Sequence, residues 1–212
     1  MFRFDRFLTL HVFRHLNKVL PQPKGIFIPI LMYHSICDEP EKGHPYFWIN
    51  TSPKRFAEHM QFLHNNNYKV ISLSEAVRII ESETINHKSR DTRGNSINSE
   101  PVTCNSQPAT DKYAVLTFDD GYRDFYTTAS STLNRFGFPA TVFLPTSFIN
   151  NSTKPGLKGK EHLSWAEVRE LQKIGVRFGS HTVNHRQLIS LDVASIRLEL
   201  KLSKERIEDE TG

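Results

Sequence analysis

Short apolar runs alternate with helical stretches along this chain, and that alternation limits its folds more than any other feature. Ile26 to Tyr33 is a dense apolar run and reads as a buried strand. Ser52-Pro53 gives an N-cap and a first helical position, and Phe56, Met60 and Leu63 then share one helical face. Tyr68 to Leu73 reads as a strand and Glu75 to Glu83 as a short helix. Tyr113 to Phe118 is a strand by its β-branched and aromatic content. A helix over about Tyr122 to Phe136, stopped by Gly137, and an apolar strand over Ala140 to Leu144 follow. Ser164 and Glu167 form a capping-box signature for a helix ending at Gly175. Val176 to Ser180 is a short strand, and Leu191 to about Glu208 a charged amphipathic helix. Strands alternating with helices predict an α/β arrangement with a parallel sheet or barrel.

Two stretches break this pattern. In residues 84–112, 12 of the 29 residues are Ser, Thr or Asn. Such a stretch buries too little apolar surface to offset its ordering entropy, and reads as a flexible surface insertion. Residues 1–25 carry Arg3, Arg6, Arg14, Lys18 and Lys24 against Asp5, while the rest of the 212-residue chain is balanced. Leu8, Val12, Leu16, Val19 and Leu20 fall on one helical side of this arm, with His11, Arg14 and Lys18 on the other. Peripheral contact of residues 1–20 with an anionic membrane is one reading, and a helix packed on its own domain is the other. Nucleic acid is not expected, because the basic character is confined to the arm. No run reaches the roughly 18 apolar residues of a membrane span, and no export signal stands out. That favours a cytoplasmic or membrane-peripheral site and leaves an extracytoplasmic one open. Cys37 and Cys104 are too few for a disulfide framework.

Two constellations carry chemistry. Thr117-Phe118-Asp119-Asp120-Gly121 puts two carboxylates where a strand gives way to a turn. In parallel α/β proteins sites are built at that end of the strand. Adjacent buried carboxylates repel, and a divalent cation on one would relieve this and leave the other as a base. The other reading is a plain exposed turn. His181-Thr182-Val183-Asn184-His185 spaces two imidazoles so that a helical turn would present both to one metal. His11 and His15 share that spacing, but lie on the basic arm with no acidic cluster nearby. Two imidazoles and a carboxylate are the ligand set of a catalytic Zn²⁺, and Co²⁺ or Fe²⁺ accept a similar set.

In this order, TFDDG and H-T-x-x-H resemble the first motifs of the polysaccharide deacetylase (NodB-homology, carbohydrate esterase 4) family. Ile30-Leu31-Met32-Tyr33-His34, the F-x-x-H-M-x-F-L stretch at Phe56 to Leu63, Tyr68 to Leu73 and Pro139 to Leu144 extend the likeness to the poly-N-acetylglucosamine deacetylase branch. The likeness covers residues from about 26 onward, outside the insertion. It implies a distorted (β/α) barrel, with Asp119 as catalytic base and Asp120, His181 and His185 as metal ligands. The implied reaction removes N-acetyl groups from an N-acetylated polysaccharide. Thr182 would support the histidine stretch from behind, and His34, ending the first strand, would face substrate if it is not structural. The family pattern continues with an aromatic-Pro motif and a late histidine acting as general acid. No residue after His185 matches either. The expectation is therefore an incomplete barrel with exposed edges, and weak or no activity from these 212 residues. A non-catalytic metal or glycan binder, and another metal-dependent amidase acting on carbon–nitrogen bonds, are the alternatives.

Overall fold

A computed structural model describes residues 26–40, 48–91, 112–150 and 157–212. The basic arm and residues 92–111 of the expected insertion lie outside the described residues, as does Cys104. Seven strands are described: β1 (Ile30–Tyr33), β2 (Ser35–Ile36), β3 (Asn50–Thr51), β4 (Tyr68–Val70), β5 (Lys112–Phe118), β6 (Thr141–Leu144) and β7 (Arg177–Ser180). The helices are α1 (Pro53–Asn65), α2 (Leu73–Asp91), α3 (Ser130–Phe136), α4 (Trp165–Lys173) and α5 (Val193–Thr211).

The main sheet runs β1-β5-β6-β7, with β4 also paired to β5. Every one of these pairings is parallel. All carboxyl ends therefore open on one edge of the sheet. The register seats Tyr33 beside Phe118 and Leu144 beside Ser180, so the residues after those strands meet there. β5 is the centre, with Ala114, Val115, Leu116 and Phe118 at 0–1% exposure. Phe56, Met60 and Leu63 of α1 and Val168 and Leu171 of α4 join Phe118, Val142 and Leu144 in one apolar core. Tyr33, Phe56, Phe118 and Phe125 form a ring cluster beneath the edge, with edge-to-face and stacked pairs 4.7–5.8 Å apart.

The helix ends follow local chemistry. The Ser52 hydroxyl accepts the Arg55 N–H ahead of Pro53. Ser164 and Glu167 form a complete capping box. Gly137 closes α3 in the left-handed conformation, at φ 64°.

Three expectations need correction. β1 starts at Ile30 rather than Ile26, and only one of its faces is buried: Ile30 and Met32 are 55% and 61% exposed. Among the described residues β1 pairs only with β5, and β7 only with β6. Among the described residues the sheet thus has open ends, and β1 lies at one of them. α2 runs on to Asp91, past the Glu83 boundary, because no Gly or Pro interrupts the chain before Gly94. The helix after Gly121 starts late, with a π-helical turn at Phe125–Ala129 before α3. Tyr122 is held back by an antiparallel bridge to His162, and the Arg123 N–H by the Glu161 carbonyl. No helix among the described residues is long and apolar enough to cross a membrane.

Candidate metal centre

Asp119 and Asp120 follow β5 directly. The Asp119 N–H donates to the Tyr33 carbonyl at 2.9 Å, extending the sheet one residue and fixing that carboxylate beside β1. The chain then turns sharply through two left-handed residues, Asp120 (φ 69°) and Gly121 (φ 59°). A Cβ on Gly121 would stand 2.6 Å from Leu144 Cδ2, so the turn requires glycine there. The turn buries Asp120 and aims it back across the sheet edge.

His181 follows β7, its N–H donating to the Leu144 carbonyl. The His181–His185 stretch is not the helical turn that its spacing suggests. It is a loop with Thr182 at φ 68° and His185 at φ 52°. Its shape is imposed from outside. Thr146 and Ser147 donate their N–H groups to the Thr182 and Val183 carbonyls. From α5, the buried Glu199 carboxylate accepts the N–H groups of Val183 and Asn184 and the Asn184 side-chain amide, all at 2.8–2.9 Å. Ser203, fully buried one turn on, bonds to Ser180. Thr182 supports the loop through its backbone, since its buried hydroxyl has no hydrogen-bond partner.

The result is a convergence of donors. His181 Nε2 and His185 Nε2 lie 3.3 and 3.0 Å from the same atom, Asp120 Oδ1. That oxygen is buried and has no hydrogen bond of good geometry. The set is tested by its spacing. Two donors bound tetrahedrally to one Zn²⁺ at ~2.0–2.1 Å lie roughly 3.3 Å apart. Asp120, His181 and His185 therefore fit a divalent ion, and form the metal-type group among the described residues.

The charges support this arrangement. Burial pushes Asp120 upward, but the close His181 and the charges of His185 and His34 outweigh it and hold the carboxyl below its ordinary value. Asp120 in turn holds His181 above its ordinary value, against burial. Asp119 differs: burial pushes it up, and the surrounding imidazoles only partly oppose this. The two carboxylates are thus shifted in opposite directions, Asp120 downward and Asp119 upward.

His34 lies at this site. Its Nε2 is 3.9 Å from Asp119 Oδ2, on the side of Asp119 that faces β1. The chain beyond it is gripped by Asp124, which accepts the Ser35 hydroxyl and, at 3.1 Å, the Ile36 N–H. Sequence reasoning missed Asp124, Glu199 and His162. Only Asp124 had a legible signal, its place four residues after Asp120.

Glu199 yields a first expectation. Burial pushes its carboxyl up, but the bonds from Asn184 and Val183 and the charge of Arg186 dominate and hold it below the ordinary range. Glu199→Gln is expected to cost about 1–2 kcal/mol at neutral pH. A depressed native value contributes stability above the unfolded value, and that contribution is lost as pH falls through the native one. Urea titrations at descending pH should therefore show the gap between parent and variant closing below the ordinary carboxylate range. A gap that stays constant with pH would contradict this.

A parallel α/β sheet with an Asp–His–His group at its carboxyl edge defines a class of metal-dependent scaffold. The chain belongs to the polysaccharide deacetylase family, whose sequence model matches residues 106–212. It is 29% identical over 182 residues to YxkH of Bacillus subtilis (strain 168), covering 86% of this chain and 52% of that protein. It is 28% identical over 172 residues to the poly-β-1,6-N-acetyl-D-glucosamine N-deacetylase of Escherichia coli K12, covering 77% of this chain and 22% of that one. The chain thus spans about half or less of these relatives. Among solved structures, it resembles the Streptococcus pyogenes deacetylase PplD, with TM-score 0.62, 24% identity, 86% of this chain and 68% of that one. It also resembles IcaB from Ammonifex degensii, with TM-score 0.60, 17% identity, 88% of this chain and 70% of that one. At these identities the structures speak to the fold, which is the expected deacetylase barrel type.

Proposed function

We propose that this chain carries the metal-and-base centre of a hydrolase that removes N-acetyl groups from an N-acetylglucosamine-type polysaccharide. The observation that carries the proposal is the division of labour at the end of β5. Asp120 converges with His181 and His185, while Asp119, next in sequence, stands apart with its proton affinity raised. A Zn²⁺, Co²⁺ or Fe²⁺ held by Asp120, His181 and His185 would supply Lewis acidity toward the acetamide carbonyl.

The chain's own residues do the rest. Asp119 takes the proton of the attacking water; a base needs a value near the working pH, and burial moves Asp119 in that direction. Asp120, kept ionised, carries no proton of its own that would compete with the one Asp119 takes. His34 stands beside Asp119 and can donate a proton to the departing sugar amine. The amide carbon–nitrogen bond breaks, acetate leaves, and the amine keeps the proton. Asp124 and the Glu199 clamp hold the backbone segments that carry His34 and His185.

The name of the E. coli relative favours a β-1,6-linked N-acetylglucosamine polymer as substrate. The Zn²⁺-loaded chain, incubated with β-1,6-N-acetylglucosamine oligomers, should release acetate slowly, in keeping with the weak activity expected of these 212 residues, and produce free amines detectable by mass spectrometry. Chitin oligomers and peptidoglycan fragments serve as comparison substrates. Oligomer binding without acetate release would instead support the non-catalytic glycan binder.

A further inference from the structure

His162 lies 42 residues after Asp120 and belongs to none of the motifs, yet its side chain reaches the Asp120 backbone. Its Nδ1 is 2.8 Å from the Asp120 carbonyl oxygen. Its Nε2 is 3.0 Å from the Leu157 N–H, and that group can only donate. Nε2 must therefore accept, so the ring proton is on Nδ1 and is donated to Asp120. Two aromatic rings pack against it, Tyr122 and Phe148, with centroids 5.1 and 5.3 Å away. The backbone around it is also fixed, by the Tyr122–His162 bridge and by the Leu163 N–H donating to the Gly121 carbonyl.

Asp120 needs such a hold. It is a non-glycine residue in the left-handed region, where its own conformational preference does not keep it. A shift of its backbone out of the left-handed region would move its side chain relative to both histidines. We propose that His162 is a positioning residue: its Nδ1–H holds the Asp120 carbonyl and so aims the Asp120 carboxylate at His181 and His185. This rests on reading those three residues as the metal group. A metal-ligating carboxylate is tuned by what holds it from behind, and losing such a partner costs about 10–100-fold in metal affinity.

Two variants separate this role from packing. His162→Asn keeps an amide nitrogen near the Nδ1 position and loses the acceptor for Leu157. His162→Gln reaches the Nε2 position and loses the donor to Asp120. Zn²⁺ affinity is measured by competition titration, and coordination by the visible absorption of the Co²⁺ form, with circular dichroism reporting the fold. The expected result is that His162→Asn binds close to the parent, while His162→Gln loses about 10–100-fold and alters the Co²⁺ spectrum. Equal losses, no loss in either, or loss in His162→Asn alone would each overturn the proposal. A parent chain that takes up no Zn²⁺ would overturn the metal reading, and this inference with it. A third readout needs no variant: long-range ¹H–¹⁵N correlation on the parent should show His162 as the Nδ1–H tautomer. An Nε2–H tautomer would overturn the proposal whichever variants fold.

Discussion

Asp120→Ala is expected to abolish stoichiometric Zn²⁺ uptake by a chain that remains folded. Both imidazoles point at one oxygen of this residue, so its removal takes away the atom on which the group converges. The loss should exceed the roughly 10–100-fold that follows from removing a partner behind a ligand. His185→Ala should behave in the same way, and His64→Ala, exposed on α1, should bind like the parent. Thermal unfolding offers a second check. A ligand at 100 times its Kd stabilises the state that binds it by about 2.7 kcal/mol. The parent should therefore unfold at a higher temperature with Zn²⁺ than without, and Asp120→Ala should show no such shift. If Asp120→Ala and His185→Ala titrate like the parent, the metal assignment is wrong.

Asp119→Asn is expected to do the opposite. It should bind Zn²⁺ much as the parent does and lose activity by about 10²–10⁴-fold, the usual contribution of a positioned base. The amide is close in size to the carboxylate and cannot take a proton from water. In the parent, acetate release should rise with pH through the native Asp119 value, which burial has moved above that of an ordinary carboxyl group. In Asp119→Asn that rise should be missing from the residual rate. An unchanged rate in the variant would show that another group accepts the proton.

Much of this site was legible before any coordinates. A strand running straight into Asp119-Asp120-Gly121 has little freedom over where its carboxylates fall, because β5 is central and its carboxyl end must open at the sheet edge. His181 was legible for the same reason, at the end of β7. The conformation between the histidines was not. A spacing of four suggests one face of a helix, but Thr182 and His185 are left-handed. They are held there by Thr146, Ser147 and Glu199, contacts that local propensity does not encode. His162 was invisible for a related reason. Its value lies in the two partners of one ring, and a lone histidine gives no sign of either. The exposed face of β1 was misjudged because a dense apolar run looks the same on an interior strand and at the end of a sheet.

The parallel pairing of β5, β6 and β7 also has a kinetic meaning. Asp120 and His185 sit on segments that meet only after two crossover connections have closed. The Asp120 turn is held by His162, and the loop leading to His185 by Thr146, Ser147 and Glu199, all distant stretches of chain. No single hairpin or helix pair could assemble a partial version of the centre. Parallel sheets of this kind form slowly, because their long loops must close before the contacts repay them. The ion would thus arrive at a nearly finished chain, locking a fold that apolar collapse around β5 had already built rather than seeding it.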